Sequence, residues 1–246
     1  MGVVVITGGS RGIGAATARL MSAQGWDVCV SYLEAERAAN ETVEACRATG
    51  RQAIAVRAEV SCESEVNRLF ERAAKLGRVA ALVNNAGIVS SKARVDEMDR
   101  HRVEHMMAVN VVGPFLCARQ AVRQMSTRHG GKGGAIVNVS SAASRLGSPG
   151  EYVDYAASKG AIDTMTIGLA REVATENVRV NAVRPGLVET GIHASGGQPD
   201  RVERLRSAIP MQRPGRPEEI AETIAWLCSP GASYVTGALL DVSGGR

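Results

Sequence analysis

Tyr155 and Lys159 stand four residues apart, the spacing that sets two side chains one above the other on a single helix face. A phenol and an ammonium so placed form an acid–base pair able to pass a proton to or from a substrate oxygen. Free tyrosine, with a pKa of about 10, is too weak a base near neutrality. An ammonium at roughly 4 Å and an effective dielectric near 20 favours the phenolate by about 4 kcal/mol, on the order of three pKa units as an upper guide. Far upstream, Thr7-Gly8-Gly9-Ser10-Arg11-Gly12-Ile13-Gly14 forms a glycine-rich turn. Glycine there permits a tight bend and lets backbone N–H groups approach a phosphate, to which a helix N-terminus adds partial positive charge. A place for a pyrophosphate together with a group that moves a proton suggests hydride transfer.

These groups need a frame, and the apolar pattern supplies one. Strands are predicted over Gly2–Thr7, Asp27–Tyr32, Gln52–Arg57, Ala80–Asn84, Ala135–Val139, Val178–Val183 and Ala238–Val242. Helices are predicted over Gly12–Gln24, Glu34–Thr49, Glu63–Leu76, about Glu97–Ser126, about Val153–Ala174, and from Pro217 to near Ser229. Short apolar strands alternating with helices specify a parallel sheet covered on both faces. The glycine turn then falls where the first strand meets the first helix, the position at which a doubly wound sheet holds a dinucleotide. One segment, Gly191 to Pro214, breaks the rhythm, and its Gly196-Gly197 predicts that Gly191 to Pro210 closes over substrate as a lid. His193 in that segment reads as an exposed loop histidine before it reads as a substrate contact.

The 246 residues fit one domain of the larger α/β type. No apolar run approaches the roughly 20 residues of a membrane span, and Met1 leads into a strand without a basic segment. These features predict a cytoplasmic enzyme. Five dispersed cysteines without a C-x-x-C pair predict reduced thiols and no metal site. A formal charge of +4, from 29 basic and 25 acidic side chains without basic runs, argues against nucleic-acid binding.

The motifs Thr7-Gly8-x-x-x-Gly12-x-Gly14, Asn84-Asn85-Ala86-Gly87, Asn110, Ser140-Ser141, Tyr155-x-x-x-Lys159 and Pro185-Gly186 follow in this order. In that order the chain resembles the short-chain dehydrogenase/reductase family over essentially its whole length, and especially the glucose 1-dehydrogenase-like and 3-oxoacyl-carrier-protein reductase-like branch. The resemblance implies a single doubly wound Rossmann domain with a seven-stranded parallel sheet flanked by helices, assembled as a homotetramer. It implies that Tyr155 is the general acid/base, that Lys159 also holds the nicotinamide ribose, that Asn110 anchors a proton-relaying water, and that Ser141 hydrogen-bonds the substrate oxygen. The frame Ile136-Val137-Asn138-Val139-Ser140-Ser141 matches the family best with the second serine catalytic. Cofactor contacts are expected at Gly8, Ser10, Arg11, Gly12, Ile13 and Gly14 in the turn, and at Ser31 and Tyr32 after the second strand. Further contacts are expected at Glu59 and Val60 beside the adenine, at Asn84, Ala86 and Gly87 along the trough, and at Pro185 and Gly186. Glu59 departs from the Asp usual at its place.

The second strand ends Val30-Ser31-Tyr32, without the acid that binds an adenosine ribose and repels a 2′-phosphate. Arg11 in the glycine turn suits a phosphate. The pattern favours NADP(H), while Glu34 and Glu36 just beyond keep NAD(H) open. A reading from another class is a catalytically silent dinucleotide-sensing protein, against which the complete Asn110, Ser141, Tyr155, Lys159 set argues. Fold alone does not fix the substrate.

Overall fold

The computed structural model describes residues 1–191, 196–198 and 200–246, so His193 and part of the expected lid lie outside the described residues. The elements follow the order β1 (Val3–Ile6), α1 (Gly12–Ala23), β2 (Asp27–Tyr32), α2 (Glu36–Arg47), β3 (Ala53–Arg57), α3 (Glu63–Ala74), β4 (Val79–Asn84), α4 (Arg100–Met107), α5 (Gly113–Met125) and β5 (Gly134–Val139). The chain continues through α6 (Ala143–Leu146), α7 (Val153–Val173), β6 (Val178–Pro185), α8 (Arg201–Arg204), α9 (Pro217–Cys228) and β7 (Leu239–Val242). The seven strands form one parallel sheet in the order β3-β2-β1-β4-β5-β6-β7.

Alternation along each strand sends its apolar side chains into two core layers. In β1, Val3 and Val5 face a layer with Leu69 and Phe70 of α3, Cys117 and Met125 of α5, and Ile162 of α7. Val4 and Ile6 face the opposite layer, with Met21 of α1, Val43 of α2, and Ile220 and Ile224 of α9. Strand order reverses at β1, between β2 and β4, and this opens a crevice at the strands' carboxyl ends.

The predicted long helix over 97–126 is divided. A 3₁₀ turn (Val95–Glu97) precedes α4, and a π-helical turn (Ala108–Val112) joins α4 to α5. Pro114 explains the wide turn: it has no N–H to donate to the carbonyl four residues back, that of Asn110. The short helix α6 behind Ser141 was not visible in the apolar pattern, because four residues carry too little periodicity to register.

All five cysteines are free thiols. Burial pushes Cys29, Cys117 and Cys228 up to about 12. Raised folded-state values mean that the folded chain keeps these protons while an unfolded chain releases them from about pH 9. Stability is therefore expected to fall above that pH, each thiol adding a slope of about 1.4 kcal/mol per pH unit as an upper guide. Denaturant titrations between pH 8 and 11 on native protein and on a Cys29→Ala/Cys117→Ala/Cys228→Ala variant check this. The variant should show the shallower alkaline decline, and equal slopes would contradict the assignment.

Candidate active site

A cavity of about 1020 Å³ opens over the crevice. At one end it is lined by the turn residues Gly8, Ser10, Arg11, Gly12 and Ile13. Gly8 has φ +64°, a conformation open to glycine at no steric cost. A Cβ on Gly14 would lie 2.4 Å from the Gly8 carbonyl oxygen and 2.6 Å from Asn85 Nδ2. Gly14 thus seats α1 tightly behind the turn and does not itself line the cavity.

The turn is tied to the end of β4. Thr7 Oγ1 accepts from the backbone N–H groups of Asn85 and Ala86, each at 3.0 Å, and Asn85 Nδ2 donates to the carbonyls of Thr7 (2.9 Å) and Gly8 (3.0 Å). Asn84 departs from expectation. It is buried in the sheet, its Nδ2 donating to Asn138 Oδ1 at 2.9 Å, and it lies beneath the cavity wall. β4 ends at Asn84, so Asn85, Ala86 and Gly87, in the loop that follows the strand, form the lining instead.

Ser31, Tyr32, Glu34, Glu59 and Val60 also line this end. The Gly8 N–H donates to Ser31 Oγ at 3.2 Å, which brings the end of β2 against the glycine turn. Glu59 holds its own loop, accepting from Ser61 Oγ at 3.0 Å. Pro185 and Gly186 line the cavity at the end of β6, where a Cβ on Gly186 would meet Ser243 at 2.8 Å.

Toward the other end lie Ser140, Ser141, Tyr155 and Lys159. The two serines separate cleanly: Ser140 Oγ donates to the Lys159 carbonyl at 3.2 Å and is buried, whereas Ser141 Oγ accepts from the Ala143 N–H at 3.1 Å on the cavity wall that it shares with Tyr155. Lys159 Nζ donates to the Val139 carbonyl at 2.8 Å and lies 5.6 Å from the centre of the Tyr155 ring. Asn110 sits in the π-helical turn and does not line the cavity. It clips that turn to the loop after β4, accepting from Ile88 N–H at 2.8 Å and donating to the Ile88 carbonyl at 3.0 Å and to Ser158 Oγ at 3.2 Å. A Cβ on Gly87 would lie 3.3 Å from Asn110 Oδ1 and 3.6 Å from Lys159 Nζ, so a bare glycine leaves room over the lysine.

Burial raises the Tyr155 phenol above its usual value, and the Ser141 hydroxyl and the Arg201 guanidinium act against that rise. Burial also pushes Lys159 down to about 8, with Asp163, one turn further along α7, acting in the opposite direction. Desolvation disfavours the charged form of both groups.

The sequence profile of the enoyl-(acyl carrier protein) reductase family matches residues 8–246. The uncharacterized oxidoreductase YgfF of Escherichia coli (strain K12) is 51% identical over 247 residues, spanning 100% of both chains. The chain belongs to the short-chain dehydrogenase/reductase family. The 3-oxoacyl-[acyl-carrier-protein] reductase of Synechocystis sp. (strain ATCC 27184 / PCC 6803 / Kazusa) is 38% identical, covering 99% of this chain and 96% of that one. A blue fluorescent protein from a metagenomic library, solved in complex with NADPH, superposes with a TM-score of 0.90 at 35% identity, covering 99% of this chain and 96% of that one.

In this short-chain dehydrogenase/reductase several site residues escaped the sequence reading. Arg201 is buried against the Tyr152 ring, its guanidinium 4.8 Å from the ring centre, and is paired with Glu151. Arg246 reaches the same cavity from beyond β7. Neither carries a local signal, because an arginine in a short charged helix or after a last strand looks like any solvated cation. Asp154, read as shaping the start of the helix, takes Arg102 of α4 in a two-pronged ion pair at 2.8 and 3.3 Å. Among the described residues no His/Cys/Asp/Glu cluster could hold a metal ion. Nor is any described helix long and apolar enough to cross a membrane.

Proposed function

We propose that the protein interconverts a carbonyl compound and its secondary alcohol with a nicotinamide dinucleotide, NADP(H) favoured over NAD(H), and with Tyr155 as general acid/base. The observation that carries this reading is one cavity shared by the glycine turn and the Ser141–Tyr155–Lys159 cluster. The fit of a dinucleotide rests on the left-handed Gly8, the bare Gly87 beside Lys159 Nζ, and the cavity's length from Ser31 to Tyr155. When bound, the nicotinamide supplies or takes the hydride.

The rest of the chemistry belongs to the chain. Ser141 orients the substrate oxygen toward the Tyr155 phenol, which gives it a proton in reduction and takes one in oxidation. Lys159 is held at Val139 and spans the space toward the ribose. Asn110 fixes Ile88, and with it the Gly87 edge, against that lysine, and a water relay at Asn110 belongs to the same reading. We further propose one dinucleotide-binding domain per chain, working in the cytoplasm as a homotetramer. Val112 and Phe115, exposed in the π-helical turn and on α5, are apolar surface that suits such an assembly.

A panel of carbonyls and alcohols assayed with both nicotinamides tests the activity. Turnover is expected, and a sensor would bind the dinucleotide and turn over none of them. Cofactor choice is tested by Ser31→Asp. The Ser31 oxygen already accepts from the Gly8 N–H, so a carboxylate there keeps that bond and faces the 2′-position. The Kd for NADPH is expected to rise about tenfold or more relative to that for NADH, and equal effects would remove Ser31 from the phosphate site.

A further inference from the structure

We propose that the substrate end of this cavity is an anion site built from Arg201 and Arg246, and that the natural substrate is a carbonyl or hydroxy compound bearing a carboxylate. The assignment of this end to substrate rests on the oxidoreductase reading above.

Arg201 lines the cavity, is only 8% exposed, and stacks on Tyr152, three residues before Tyr155. Its charge is felt at the Tyr155 phenol, which places it on the reacting side of the cavity. Arg246 lines the same end, brought there by a hydrogen bond of 3.0 Å from Arg145 Nη2 to its backbone carbonyl. The guanidinium charges of Arg201 and Arg246 act on one another. Glu151 is the carboxylate between them, and it is already divided, one oxygen paired with Arg201 and the other 3.7 Å from Arg204. Among the described residues no Asp or Glu side chain forms an ion pair with Arg246, the nearby carboxylates of Glu151 and Asp241 being taken by Arg201, Arg204, Arg145 and Arg184. Three arginines around one glutamate leave an excess of positive charge beside a partly desolvated cavity.

Arginine does not shed its proton to relieve this. A half-buried, unpaired guanidinium is costly until an anion meets it, and its planar fork matches a carboxylate. The neighbouring walls at Val89, Leu146, Leu187 and Leu205 are apolar. The end of the cavity therefore suits a carbon skeleton with a carboxylate held away from the reacting carbon.

The test is calorimetric titration of the NADP⁺-saturated protein with cyclohexanecarboxylate and with cyclohexanecarboxamide, which match in shape and differ in charge. The carboxylate is expected to bind about tenfold tighter or more. Arg246→Gln should bring the two ligands to within about twofold of each other, and Glu151→Gln, which frees Arg201, should widen the gap. Arg201→Gln should act like Arg246→Gln, but the decision rests on Arg246 because it lacks a buried ion pair that the fold needs. Equal binding of the two ligands, binding of neither, or a preference untouched by Arg246→Gln would overturn the proposal. A carboxylate preference that persists in protein unable to bind any nicotinamide would instead overturn the oxidoreductase reading and leave the anion site standing.

Discussion

Tyr155→Phe is expected to bind NADPH with nearly native affinity and to lose turnover by about 10²-fold or more, the scale of a missing general acid. The phenol lines the cavity beside Ser141, so removing one oxygen leaves the packing of α7 and the glycine turn in place. Burial keeps the phenol protonated through neutral pH, the form that reduction needs. Alcohol oxidation needs the phenolate, and its rate should therefore climb as pH rises. NADPH fluorescence titration and steady-state rates on the variant check both halves. Retention of more than about a tenth of native activity would take the proton-transfer role away from Tyr155.

Lys159→Met is expected to be folded, to turn over about 10²-fold more slowly, and to bind NADPH at least about tenfold more weakly. Methionine fills the same channel without the ammonium that donates to Val139 and faces the space beside Gly87. The folded lysine titrates at about 8 against 10.5 for the free side chain. Below pH 8 the native chain carries a buried cation that the unfolded chain solvates freely. That penalty fades as pH rises to 10.5, where both states are neutral. The stability of Lys159→Met relative to native protein should accordingly fall by up to about 3 kcal/mol across this window. Unchanged NADPH affinity would remove the ribose role, and a flat stability difference would place Lys159 in water.

The frame of the molecule was legible because strands buried on both faces read as short apolar runs and helices as periodic ones. β2 begins and ends where its sequence predicts, at Asp27 and Tyr32, and the covered parallel sheet follows from the alternation. The frame singles out Ser141 over Ser140, and in the structure Ser140 Oγ donates to the Lys159 carbonyl. Less was legible where the cause is long-range. The π-helical turn depends on Pro114 acting on a carbonyl four residues back inside what otherwise reads as one helix. Asn84 and Asn85 are identical in type, and only the point at which β4 ends, with Asn84 held inside the sheet by Asn138, decides which one meets the cavity. Arg201 and Arg246 are separated by 45 positions, from numbering alone, and meet only when β7 returns the chain beside β6. Spacing shows which charges stand near Tyr155, whereas the burial that raises its phenol depends on everything packed around it.

The central claim is that this cavity moves a hydride between a nicotinamide and a carbonyl carbon. Its most direct test is reduction of an accepted ketone with NADPH carrying deuterium at the transferable position, followed by mass spectrometry and NMR of the alcohol. Alcohol with one deuterium on the carbinol carbon is expected, formed in step with NADPH consumption and absent with Tyr155→Phe. Alcohol formed without deuterium at that carbon, or no NADPH consumption with any carbonyl of the panel, would contradict it.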